Sequence, residues 1–333
     1  MKILLTGGAG YVGSACLRHL AKQGHEVVAY DNLVEGHPKA VGGSPLVVGD
    51  ILDTKLLAQT LKDFGAEAVM HFAAATNVGL SVEDPEYHYR TNTVGSLSLL
   101  EAMREANVKK MLFSSTSSTY GLTRRDIMDE DTPQAPFSPY ARSKMSVEWM
   151  IDDYSTAYGL DYTLLRYFNA CGADPSGEFG EYHDPETHII PLLLEVALGK
   201  REKFVIFGDD YPTPDGTCVR DYVHIEDLAN AHRLAIEATT KGTKGVFNIG
   251  IGNGQTVLEV IKACERVTGK SLATEMGTRR AGDPVALVSD PAKLRRVLGW
   301  EPQYKTIDSI VETAWAWHQA NPDGYTGPRF PDA

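Results

Sequence analysis

Tyr140 and Lys144, four residues apart in Ser138-Pro139-Tyr140-Ala141-Arg142-Ser143-Lys144, are the pair in this chain best suited to moving a proton. Ser138 followed by Pro139 reads as a helix start, a side-chain cap and then a residue with φ pre-set for the first turn. The i, i+4 spacing puts phenol and ammonium on one helix face. A free phenol titrates at about 10, too high for a base at neutral pH, and a neighbouring cation favours the phenolate. Alone, such a pair is usually a surface contact. What changes the weighing is the hydroxyl run Ser114-Ser115-Thr116-Ser117-Ser118-Thr119-Tyr120. It follows an apolar strand pattern and so falls at a strand's carboxyl end, where doubly wound sheets bind ligands. Most of these hydroxyls suit a turn; Thr116 is the one expected against the reacting group.

A second constellation opens the chain, Thr6-Gly7-Gly8-Ala9-Gly10-Tyr11-Val12-Gly13. Gly7, Gly10 and Gly13 follow a strand and open a helix. That arrangement allows a tight turn, close backbone approach to a diphosphate and close helix packing. The helix start adds unpaired N–H groups and the positive end of the dipole. Asp31 stands 24 residues after Gly7 at the end of a second strand pattern, where a carboxylate takes ribose hydroxyls. It also repels a 2′-phosphate, and only His37 and Lys39 are basic between Asp31 and Gly43. NAD is therefore expected rather than NADP. Asp50, closing Val47-Val48-Gly49-Asp50, either approaches the adenine or serves as a turn or cap residue.

The elements that must position these groups are legible as alternating patterns. Strands are expected at 3–6, 26–31, 45–48, 68–72, 110–115 and 162–168, with helices at 11–23, 53–64, 85–106 and 139–158. That alternation predicts an α/β fold, a Rossmann-type doubly wound parallel sheet. From residue 169 the texture changes to Gly-, Pro- and Asp-rich loops, with helices expected at 189–198, 225–239, 257–268 and 307–319. A strand at 246–250 would return to the first sheet. The expected division is residues 1–170 plus about 225–255 for the dinucleotide, and about 171–224 plus 256–333 for a smaller mixed α/β substrate-binding domain.

Composition sets the outer limits. The 333 residues suit about two domains. The formal charge of −12 argues against nucleic-acid or anionic-membrane partners. Cys16, Cys171, Cys218 and Cys264 are scattered without metal-ligand spacing. Buried free thiols are expected, and no metal. No run approaches the ~20 apolar residues of a membrane span. The start, Met-Lys-Ile-Leu-Leu-Thr running into glycines, lacks a signal-peptide core. A cytoplasmic location is expected.

Together the glycine turn, the hydroxyl run and Tyr140-x-x-x-Lys144 resemble the extended short-chain dehydrogenase/reductase family. Ile206 through His224, Arg166-Tyr167-Phe168-Asn169 and Arg279-Arg280-Ala281-Gly282-Asp283 narrow the resemblance to its UDP-sugar 4-epimerases. The resemblance implies reversible C4 epimerisation of a UDP-hexose, UDP-galactose to UDP-glucose, through a 4-keto sugar on tightly held NAD. Tyr140 would be the acid/base, with Thr116 sharing its hydrogen bond and Lys144 holding the nicotinamide ribose. Tyr11, Val12, Asp31, Asn32, Asp50, Ile51, Phe72, Ala73, Ala74, Asn92 and Phe168 would line NAD. Asn169, His188, Phe207, Arg220, Arg280, Asp283 and Leu287 would hold the UDP-sugar. A homodimer through a helix bundle is implied as well, using apolar residues such as Leu97, Leu99, Leu100, Met103, Met145, Trp149 and Met150.

Three departures bear on substrate. Thr76 stands where lysine is frequent, and Thr187-His188 where two asparagines are. Leu287 replaces a common tyrosine; a branched apolar group there disfavours a 2-acetamido substituent, by about 1–3 kcal/mol. UDP-N-acetylglucosamine and UDP-xylose/UDP-arabinose stay open as alternative substrates. A net NAD-dependent nucleotide-sugar oxidoreductase and an NAD-sensing binding module are the other readings. Elimination is disfavoured, since Thr116-Ser117-Ser118-Thr119 carries no acid.

Overall fold

The computed structural model describes residues 1–121, 127–280 and 283–327. Seven parallel strands form the main sheet, in the order Lys244–Ile249, Asp161–Tyr167, Lys110–Thr116, Ala68–His71, Lys2–Thr6, Glu26–Asp31, Leu46–Val48. The chain builds outward from Lys2–Thr6 on one side and then returns to build the other from Ala68–His71. The crevice at that reversal opens at the strands' carboxyl ends.

Both faces of the sheet are covered, which is why its strands read as unbroken apolar runs. Ile3 and Leu5 pack with Leu17, Leu20 and Ala229 on one face. Leu4, between them, packs with Leu57 and Leu61 on the other. The returning strand lies where the sequence predicts, with Phe247 in register beside Leu165. The single helix expected over 85–106 is interrupted: Pro85–His88 leads into a π-helical turn, Tyr89–Val94, before Gly95–Glu105. Asn92 lies in that wider turn and is buried.

The second layer of structure is a mixed sheet around Val219–His224, flanked by Gly254–Thr256, Asn169–Cys171 and Ala286–Ser289. Ile127–Met128 crosses from the first half of the chain to join Ala286–Ser289. Helices Ile189–Leu198, Val257–Thr268 and Ile307–Ala320 share a core of their own through Leu193, Ile261 and Val311. Leu294 and Trp300 leave that unit and bury in the core of the main sheet, where the Trp300 indole donates to Asp227 O at 2.9 Å. All four cysteines are buried and free, as expected. Among the described residues no helix is long and apolar enough to cross a membrane.

Candidate active site

A cavity of about 550 Å³ opens at the carboxyl edge of the main sheet. Gly7, Gly10, Tyr11, Val12 and Gly13 line it, followed by Asp31, Asn32, Asp50, Ile51, Phe72, Ala73 and Ala74. Thr116, Tyr140, Lys144, Phe168, Asn169 and His188 face the same space. Residues so scattered in sequence converge because several of them end or follow successive parallel strands.

The helix Tyr11–Lys22 begins at Gly10 without a side-chain cap. Its first amides therefore lack both helical and side-chain acceptors, an arrangement suited to a diphosphate. Gly7 has φ +70°, and a Cβ there would lie 2.4 Å from Ala73 N. A Cβ on Gly13 would lie 2.0 Å from Gly7 O, so only glycine lets the helix sit this close to the turn. Asp31 accepts from Ala9 N at 3.0 Å and Leu33 N at 2.8 Å. Burial raises its pKa, and these two N–H groups work against that rise. Asp50 is both a turn acceptor, from Leu52 N at 2.8 Å, and a cavity residue bonded to Asn32.

Asn92, expected against the cofactor, is not on the cavity surface. It is 1% exposed, accepts from Ala75 N at 2.7 Å and donates to Ser143 Oγ at 2.9 Å. It ties the Ala73–Ala75 strand exit to the helix that carries Tyr140.

That helix, Pro139–Tyr158, is capped as the sequence predicts, Ser138 Oγ accepting from Ala141 N at 3.1 Å. The Thr116 hydroxyl lowers the pKa of the Tyr140 phenol against the larger rise from burial. Lys144 Nζ donates to Ser114 O at 2.9 Å and sits 4.8 Å over the Phe113 ring. Burial brings the Lys144 ammonium down to about 7, opposed by Glu148. Both groups are desolvated, and each is pushed toward its neutral form.

This has a measurable sign. With the folded pKa of Lys144 below the unfolded value of about 10.4, the unfolded chain binds more protons between roughly pH 7 and 10. Stability from this group rises with pH across that window. NAD-free Lys144→Met is expected to melt above the wild type at pH 7, and its advantage to shrink by several degrees toward pH 9.5.

Phe207, Arg220, Arg280, Asp283 and Leu287 do not line this cavity: Arg220 and Leu287 lie on strands of the mixed sheet, Phe207 ends a strand paired with Thr274–Gly277, and Arg280 and Asp283 lie between Thr274–Gly277 and Ala286–Ser289. Arg220 Nη2 meets Asp283 Oδ1 at 2.5 Å, and the Arg280 guanidinium lies 3.9 Å over the Phe207 ring. Arg279 stacks likewise on Tyr211 at 3.9 Å. Leu287 stands beside Arg220 in strand register. Ala281 and Gly282 lie outside the described residues. Asn169 links the two clusters, lining the cavity while its Nδ2 donates to Asp221 O at 2.9 Å.

Residues 3–250 match the model of the NAD dependent epimerase/dehydratase family. The chain belongs to that family. It is 47% identical over 327 residues to a UDP-glucose 4-epimerase of Halalkalibacterium halodurans, covering 98% of each chain. It is similar to a solved UDP-glucose 4-epimerase at TM-score 0.95 and 45% identity, over 98% of this chain and 100% of that one. A third match is a UDP-glucose 4-epimerase from Bifidobacterium longum in complex with NAD+ and UDP. It has TM-score 0.94 and 35% identity, over 98% and 100% of the two chains.

NAD is the cofactor of this family member, and the uncapped helix start beside a carboxylate-ended strand fits it. Further residues, not expected from the sequence, complete the cavity wall. Phe179, Glu181, Tyr182, His183 and Tyr325 also line the cavity. Phe179 stacks on Tyr11 at 5.7 Å, and Tyr325 Oη accepts from Gly180 N at 3.1 Å. No local pattern marks Phe179 or Tyr325, because Tyr11 and Gly180, which they meet, lie more than a hundred positions away.

Proposed function

We propose that this protein interconverts UDP-galactose and UDP-glucose by inverting C4 of the hexose. The observation carrying this reading is that Thr116, Tyr140 and Lys144 open onto the same cavity as the glycine turn. NAD, when bound, supplies a reversible acceptor for the hydride on C4. Tyr140 Oη takes the proton of the 4-hydroxyl and later returns one, with the Thr116 hydroxyl holding that oxygen in line. Lys144 Nζ holds the nicotinamide ribose and favours the phenolate. The planar 4-keto sugar turns over while its nucleotide stays anchored, and reduction of the opposite face gives the epimer.

Arg220 and Arg280 suit the diphosphate, since planar guanidinium donors match its oxygens. Asn169, His188, Phe207 and Asp283 complete the nucleotide-sugar site, and Leu287 favours a hydroxyl over an acetamido group at C2. Residues 1–170 with about 225–255 act as the NAD-binding domain. Residues 171–224 with 256–333 act as the cap, apart from the Leu294–Trp300 stretch, which packs on the main sheet. A cytoplasmic enzyme is the fitting location.

The test is to incubate purified protein with UDP-galactose, UDP-N-acetylgalactosamine and UDP-xylose separately, with no NAD added. Conversion of UDP-galactose to UDP-glucose is expected. A requirement for added NAD with accumulation of NADH would favour a net oxidoreductase; conversion of none would sink the epimerase reading.

The homodimer reading rests on an exposed apolar face. Leu80, Val82, Leu97 and Trp149 are 48, 67, 41 and 58% exposed. Leu99, Leu100 and Met103, expected with Leu97 and Trp149 in the helix bundle, instead face the core of the main sheet. Trp149→Glu is expected to shift the protein from dimer to monomer in sedimentation equilibrium, because it replaces an exposed aromatic side chain by a charge.

A further inference from the structure

The loop before helix Ile189–Leu198 gathers Glu181, His183, Glu186 and His188, with one donor atom from each within 4.8 Å of the others. Nitrogen and oxygen alternate around the group. Glu181 Oε1 lies 2.9 Å from His188 Nδ1 and 3.6 Å from His183 Nδ1. Glu186 lies 3.4 Å from His183 Nδ1 through Oε2 and 3.3 Å from His188 Nδ1 through Oε1. A tetrahedral zinc ion with bonds of about 2.0–2.1 Å sets its ligands roughly 3.3–3.4 Å apart; the His183 separations of 3.6 Å to Glu181 Oε1 and 3.4 Å to Glu186 Oε2 lie close to that value, and the whole group spans no more than 4.8 Å.

Glu181 supplies an independent sign. It is 3% exposed, and its Oε1 has no hydrogen-bond partner in acceptable geometry. The 2.9 Å approach of His188 Nδ1 meets the distance of a hydrogen bond but not its alignment. The oxygen thus points among ring nitrogens without being satisfied by an N–H, a costly arrangement for a buried carboxylate. Glu186 Oε1 is occupied, accepting from Thr187 N at 2.6 Å and His188 N at 2.7 Å, which leaves Oε2 for the group. Two carboxylates would neutralise a dication, and neutral imidazoles would complete its shell.

We propose that Glu181, His183, Glu186 and His188 bind one divalent transition-metal ion. Zinc suits the mixed nitrogen and oxygen donors and their near-tetrahedral spacing. The ion pins the cavity wall formed by Glu181 and His183 to His188 at the start of the helix. The expectation of no metal rests on the scattered cysteines, whereas the donors of this group are histidines and glutamates. His188 is shared with the proposed nucleotide-sugar site, and the cobalt and zinc readouts do not depend on turnover, so failure of this proposal is distinguishable from failure of the epimerase reading.

The test uses tag-free full-length protein, dialysed against a chelator and checked for retained NAD by absorbance. Titration with Co2+ is expected to give the intense visible absorption of a tetrahedral site, bleached by one equivalent of Zn2+ per chain. Zn2+, but not Mg2+, is expected to raise the melting temperature. Glu181→Gln and, separately, His183→Ala should weaken zinc binding by more than about 100-fold, measured against a chromogenic chelator. Circular dichroism and retained NAD verify that each variant is folded. Absence of the cobalt band, binding well below one equivalent, or wild-type zinc affinity in both folded variants would overturn the site.

Discussion

Tyr140→Phe is expected to lower kcat for UDP-galactose by about 10²–10⁴-fold, the usual range for loss of a positioned acid–base group. The substitution removes one oxygen and leaves the ring, so the helix and its Ser138 cap stay as they are. NAD content and the KM for the nucleotide sugar should change little, because the cofactor contacts and the arginine cluster are separate from the phenol. Steady-state kinetics with an absorbance check for NAD would measure both. Unchanged turnover in the variant would move the base elsewhere. The size of the loss follows from the neighbouring group: the Thr116 hydroxyl that acts on the phenol is a far weaker base than a phenolate.

The second large effect concerns stability. Arg166 and Glu148 are 7 and 5% exposed and meet through two parallel bonds, Nε to Oε1 at 2.9 Å and Nη2 to Oε2 at 2.6 Å. Ser115 Oγ donates to the same carboxylate at 2.5 Å and Gln134 Nε2 at 3.1 Å. On the other side Arg166 Nη1 reaches Tyr120 Oη at 3.1 Å, which donates to Asn248 at 2.6 Å. Burial opposes the guanidinium charge, and the bonds to Glu148 outweigh it. Glu148→Ala strands that charge and should cost about 3–5 kcal/mol, seen as a lower melting temperature and urea midpoint. The double variant Arg166→Met/Glu148→Leu should recover most of the loss, since it leaves neither charge unpaired. A single variant as stable as the wild type would show that the pair contributes nothing net. The network joins the strand bearing Thr116 to the helix bearing Tyr140, so Glu148→Ala should also reduce kcat.

The legible parts of this protein share one property: their determinants are close in sequence. The Ser138 cap, the Tyr140–Lys144 spacing and the glycine turn each span a few residues, and local geometry is enough to place them. The strand expected at 246–250 lies at Lys244–Ile249, at the edge of the main sheet beside Asp161–Tyr167. The dimer face was only half legible. Leu97 and Leu99 have the same composition, and only the packing of the helix separates an exposed side chain from a core one.

What the chain determines alone is the main sheet, the phosphate-binding turn and the helix carrying the catalytic pair, because hydrophobic period, capping and glycine geometry act over one or two turns. Tertiary structure alone decided that Asn92 braces the site from behind, that Tyr325 and Phe179 reach the cavity, and that Arg220 meets Asp283. It also decided the protonation bias of Tyr140 and Lys144. Desolvation depends on everything packed around a group, and most of those neighbours are remote in sequence.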